Sequence, residues 1–247
     1  MKAINYHIRG IITTFEYLFK GKYLLFFIPG LILTGLFMIY GSTFKEIDES
    51  VDISGGYSWL SWLDTGFSGV LSFLDSALES LYIFLVLTAL SPFFTALGEK
   101  FDKELTGYEV EGGILRFIND FLRMIWIVIV SLFLQGVFLF FYWMIDALFG
   151  FPEVVDKVIK YCIIGFFFGF TFYDFALERY AKGVGASLAF AFQAPLGMII
   201  IGVIFNAIYA IPYIGIPLAP VLVVMISTVA YAYYTKQLPK SKQLSNE

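Results

Sequence analysis

From Tyr23 onward, long apolar runs dominate the chain, separated by short polar stretches. Residues 23–41 carry no charge and, at 1.5 Å per residue, are long enough to cross a bilayer as a helix. A second run, 67–97, holds Asp75 and Glu79 in its first part, so the crossing portion predicted is 81–97, with Ser91 and Pro92 near its end. Runs 121–149 and 158–177 are joined by a linker containing Gly150, Pro152, Glu153 and Asp156 and read as a helical hairpin. Runs 187–211 and 213–234 form a second pair, whose connection around Pro212, Gly215 and Pro217 has turn residues but no charge. None of these runs alternates apolar and polar positions as a barrel strand does, and backbone in lipid must satisfy its own hydrogen bonds, so the prediction is helix.

Residues 1–20 have a different period. Ile4, Ile8, Ile11, Ile12, Phe15, Leu18 and Phe19 fall on one helical face, and Asn5, Arg9, Thr13, Glu16 and Lys20 on the other. Such a helix lies in the headgroup plane, or packs its apolar face on other helices; the period fits both. Residues 42–66 are polar and acidic and read as an exposed loop, residues 98–107 continue the second run out of the membrane, and 236–247 are a polar tail.

The expected fold is a single all-α integral membrane domain of about six hydrophobic segments. Its parts are an amphipathic interfacial helix (1–20), transmembrane helices (23–41, 81–97) and two helical hairpins (121–177, 187–235). The uncharged tip of the second hairpin leaves two readings open. Either the hairpin re-enters on its own side and never reaches water, or the tip is a tight loop at the membrane surface.

Composition agrees with lipid as the solvent: 59% of residues are hydrophobic and 15% charged. The net charge of -4 gives no basic field for nucleic acid. His7 is the only histidine and Cys162 the only cysteine, so a histidine metal site, a catalytic triad and a disulfide framework all lack members. No phosphate loop or nucleophile elbow is present, so no cofactor and no enzymatic activity are expected. Lys and Arg gather near the N-terminus, at residues 99–123, at Arg179 and Lys182, and in the tail. For six crossings this puts thirteen bases on one side against three on the other and predicts cytoplasmic termini.

Ionisable residues in apolar segments are the candidate functional groups. Asp174, Glu178 and Arg179 end the fourth segment as an interfacial cluster that Arg179 and Lys182 could neutralise, while Arg123 and Asp146 snorkel from opposite ends of the third. Gly165 and Gly169 form a GxxxG packing motif, and Gln193 and Asn206 serve as interhelical hydrogen bonders or solute contacts.

The order and spacing of four segments resemble the CysZ and etoposide-induced 2.4 family. They are Phe19-Lys20-Gly21-Lys22-Tyr23 leading to Ile28-Pro29, Leu90-Ser91-Pro92-Phe93-Phe94 through Gly98-Glu99-Lys100, Phe172-Tyr173-Asp174-Phe175 followed by Glu178, and Ile211-Pro212-Tyr213-Ile214. The resemblance implies a bacterial inner-membrane sulfate permease assembled as a homo-oligomer, with two long transmembrane helices and two hairpins that only partly penetrate the bilayer. It also implies an anion site at the start of the first spanning helix, where the family has a glycine followed, after one residue, by an arginine. Gly21 matches that glycine. Tyr23 stands in the arginine's place, and Lys22 supplies charge without the bidentate fork of a guanidinium. The expected substrate contacts are therefore Gly21, Lys22, Tyr23, Gln193 and Asn206. A non-transporting membrane organiser, built on the N-terminal helix and shallow hairpins, is the alternative.

Overall fold

A computed structural model describes residues 2–36, 61–109, 114–180 and 182–236, with the side chains of 61–82, 114 and 117 left aside. The expected end of the first span (37–41), most of the acidic loop (42–60) and most of the tail (237–247) lie outside the described residues. All regular structure among the described residues is helical: α1 (Lys2–Phe19), a 3-10 turn (Leu24–Phe27) continuing as α2 (28–36), α3 (Ser61–Thr106), α4 (Ile114–Phe149), α5 (Glu153–Arg179), α6 (Val184–Gln193), α7 (Pro195–Tyr209) and α8 (Gly215–Tyr234).

Among the described residues three helical stretches are long and apolar enough to cross a membrane, namely Ile83–Thr106, Ile118–Phe149 and Gly215–Tyr234; counting each of two bent pairs as one span raises the number to five. The class this defines is an all-helical membrane protein.

Two expectations change in detail. The fifth apolar run is not one helix, because α6 and α7 meet at 95°. Pro195 opens α7 without an N–H, and the residue before a proline is pushed out of the helical region, as Ala194 is at φ -124°. Residues 61–66, expected in the acidic loop, belong instead to α3, a helix of 46 residues containing Pro92.

α8 is the inner helix. It is apolar all round and mostly buried, and it packs against α1, α3, α5 and α7. α4 is the outer one, mostly uncovered, with Trp126, Phe133 and Phe141 facing outward. The GxxxG motif is a packing face: a Cβ on Gly202 of α7 would lie 1.7 Å from the Gly165 carbonyl oxygen, and one on Gly169 would lie 1.9 Å from that of Met198. The α4–α5 turn is closed by Gly150 at φ 61°, whose N–H bonds the Asp146 carbonyl at 2.7 Å, while the Asp146 carboxylate accepts from the Phe151 N–H at 3.0 Å. Asp146 therefore caps a turn.

α1 lies at 104° to the helix that follows it. It buries His7, Gly10 and Thr14 against the bundle and leaves Ile4, Ile8, Ile12, Phe15 and Phe19 exposed, Phe19 to 86%. His7, Gly10 and Thr14 take the protein contact, Ile11 and Leu18 pack beside them, and the rest of the aliphatic face stays uncovered. His7 Nε2 lies 2.8 Å from the Tyr173 hydroxyl and Nδ1 lies 2.6 Å from the Ala3 carbonyl, while burial holds the imidazole pKa down.

Candidate functional site

The turn between α1 and α2 is built from two left-handed residues, Gly21 (φ 73°) and Tyr23 (φ 67°). Glycine takes this conformation freely, whereas tyrosine is strained in it. Tyr23 is held there by burial against Phe101, with ring centroids 5.5 Å apart, and by its hydroxyl, which donates to Glu104 Oε2 at 2.6 Å. Lys22 forms an ion pair with the other oxygen of Glu104, and the Lys100 ammonium stands 5.8 Å from the Tyr23 ring centroid. Gly21, Lys22, Tyr23, Lys100 and Glu104 line a surface recess of about 540 Å³. Gly21, Lys22 and Tyr23 thus meet at one place, joined by Glu104 and Lys100 from α3.

Gln193 and Asn206 lie elsewhere. Gln193 is exposed and lines a separate recess with Tyr180, Lys182 and Tyr231, whereas Asn206 is half-buried near the end of α7, where its carbonyl accepts from the Ala210 N–H at 3.0 Å. Neither lines the Gly21–Tyr23 recess.

The charged residues at the end of α5 separate into two networks, a different pairing from the expected one. Asp174, 1% exposed, accepts two bonds from Arg123 (Nη2–Oδ1 2.6 Å, Nε–Oδ2 3.0 Å). Arg123 also binds the Lys182 carbonyl and the Ser187 hydroxyl. It does not snorkel. It ties α4 to α5 and α6 through the bidentate geometry that guanidinium allows. Arg179 points the other way, to Asp102 of α3 at 3.2 Å and to Thr228 of α8 at 3.0 Å. The Tyr180 hydroxyl donates to the same Asp102 oxygen at 2.8 Å; burial and that carboxylate push the phenol pKa up and keep it a donor.

Glu178 lies just past the apolar segment of α5, beside Asp120 and Asp174. Burial first, then these two carboxylates, push its pKa up to about 9, so it stands protonated at neutral pH. The position fits a carboxylic acid placed where a third carboxylate could not be tolerated.

Asp102, Glu104 and Asp120 are the members that pattern reading missed, and Arg123, read as snorkelling, belongs to the Asp174 network. Asp102 follows the buried Phe101 and sits one turn after Gly98, where a Cβ would lie 2.2 Å from Arg179 Nη1. A glycine one turn before an acid in an apolar face is the local trace of a bulky cation packed across it.

Comparison with family models, curated proteins and solved structures finds no match. The family resemblance rests on the four sequence segments alone.

Proposed function

We propose that the chain is a permease-like membrane protein for a small inorganic anion, with sulfate first among candidates. The observation that carries this reading is the Gly21–Tyr23 recess, where Lys22 and Lys100 flank the start of a membrane helix. Positive side chains beside the free N–H groups of a helix start attract an oxyanion. Glu104 acts there as an internal counter-ion, holding Lys22 and the Tyr23 hydroxyl, and an entering anion replaces it at both. The separation of Gln193 and Asn206 from this recess supports a path completed between copies in a homo-oligomer. The distribution of bases favours cytoplasmic termini, and the resemblance favours a bacterial inner membrane.

Helix lengths support one re-entrant hairpin. α5 and α7 cross at Gly165 and Gly202. From there α5 runs about 18 Å on to Glu153, but α7 only about 10 Å to Tyr209. The α7–α8 tip therefore stops short, and it exposes uncharged Ile211, Tyr213 and Ile214. The α4–α5 tip reaches further and carries the ion pairs Lys157–Glu153 and Lys160–Asp156, which supports a full crossing in place of partial penetration.

Uptake of labelled sulfate into proteoliposomes tests the function. Uptake above empty vesicles, lowered by Lys22→Gln, is the expected result, and uptake no greater than in empty vesicles overturns the reading. The uncovered aliphatic face of α1 favours a second reading, a non-transporting organiser that wedges one leaflet. Liposome tubulation without anion flux would select it.

A further inference from the structure

The second recess, about 610 Å³, opens where α5, α6 and α8 end together at the charged side of the bundle. Its walls are rigid: Tyr231 is 3% exposed, and Tyr180 is fixed by its bond to Asp102 and by stacking on Tyr108 with centroids 4.7 Å apart. Its rim is polar, with Lys182, Gln193 and Thr235. Ala186 and Ala189, small and exposed, leave the space open along α6. Among the described residues, Lys182 has no carboxylate partner, although carboxylates crowd the neighbouring networks.

Its level in the membrane follows from the helices around it. The apolar run of α5 ends at Leu177 and that of α8 at Tyr234, and both are followed by charge. α6, bent 95° away from α7, lies across these ends and turns Phe192 outward, with Leu196 exposed just beyond it. The recess thus has tyrosines and one unpaired cation at headgroup depth and apolar side chains leading away from it, the arrangement expected for an amphiphile with a negative head.

We propose that this recess binds the headgroup of an anionic phospholipid, with the Lys182 ammonium and the Gln193 amide donating to the phosphate and the acyl chains running past Phe192 and Leu196. The site is separate from the Gly21–Tyr23 recess and does not depend on transport.

The test uses the full chain in detergent, with thermal unfolding followed as phosphatidylglycerol, phosphatidylcholine or inorganic phosphate is titrated in. Phosphatidylglycerol is expected to bind about five-fold tighter than phosphatidylcholine, the worth of one basic side chain at an anionic headgroup. Lys182→Gln should abolish that preference, and Ala189→Trp, filling the recess, should weaken both lipids. If Ala189→Trp is not monodisperse, Ala186→Leu in the same wall replaces it. Equal affinity for the two lipids, or a preference surviving Lys182→Gln, would overturn the proposal. So would stabilisation by inorganic phosphate matching that by phosphatidylglycerol, which would assign the recess to a free oxyanion.

Discussion

Arg179 and Asp102 form an ion pair closed off from solvent, with Nε and Oδ2 3.2 Å apart and side chains 0% and 2% exposed. The guanidinium is also bonded to the Phe175 carbonyl and the Thr228 hydroxyl, so one side chain links α3, α5 and α8. Removing one partner of such a pair leaves a bare charge in a low-dielectric interior. Asp102→Ala is expected to cost about 3–5 kcal/mol. The double variant Asp102→Leu, Arg179→Met should cost less than the single one. Unfolding by SDS in mixed micelles measures both, and a double variant weaker than Asp102→Ala would contradict the desolvation account.

The contact between Gly165 and Gly202 makes an opposed pair of predictions about glycine. Gly202→Ala puts a methyl group 1.7 Å from a carbonyl oxygen and must separate α5 from α7. Gly136, inside α4, has nothing within 4 Å of its Cβ position, so Gly136→Ala should gain up to about 1 kcal/mol from helix propensity. The same SDS titration ranks them. If Gly202→Ala were as stable as Gly136→Ala, the two helices would not meet at their glycines.

Periodicity and length carried most of the architecture. The apolar runs became α2 to α8, and the GxxxG pair is a helix contact. The break at Pro195 was legible in principle, since a proline after Ala194 within an apolar run ends a helix as readily as it kinks one. The ionic partners were not legible. Arg123 and Asp174 are 51 residues apart, and Arg179 and Asp102 are 77. Helical spacing relates residues three or four apart, so it offered Arg179 to Asp174 and Glu178 on its own helix and could not weigh a carboxylate on α3. Glu104 was hidden for the same reason, and with it the neutralisation of Lys22.

Glu178 predicts a stability that falls with alkali. Its folded-state pKa, about 9, lies above the unfolded value of 4.5, so the folded state holds its proton more tightly. The contribution to stability is full below pH 4.5, declines as the unfolded carboxyl ionises and is gone above about 9. Glu178→Gln keeps the shape and removes the titration, so its thermal midpoint should be less sensitive to pH over this interval than that of the parent. Parallel profiles for the two proteins would mean that the carboxyl is already ionised in the fold.

The unequal reach of the two hairpin tips can be read with thiol chemistry. Ile214, 54% exposed, lies in the uncharged α7–α8 tip at φ -93°, which a cysteine adopts without strain. Glu153, exposed, opens α5 at the charged α4–α5 tip. Each is changed to cysteine in a Cys162→Ser background, and a membrane-impermeant maleimide is applied from the side opposite the termini. On the proposed topology, in which the α4–α5 pair crosses fully, Glu153→Cys is expected to label rapidly. On the proposed topology Ile214→Cys is protected until detergent is added, because past the Gly165–Gly202 crossing α7 runs about 8 Å less far than α5 does. Labelling of Ile214→Cys at the rate of Glu153→Cys would place both tips in water and make the α7–α8 pair a full crossing.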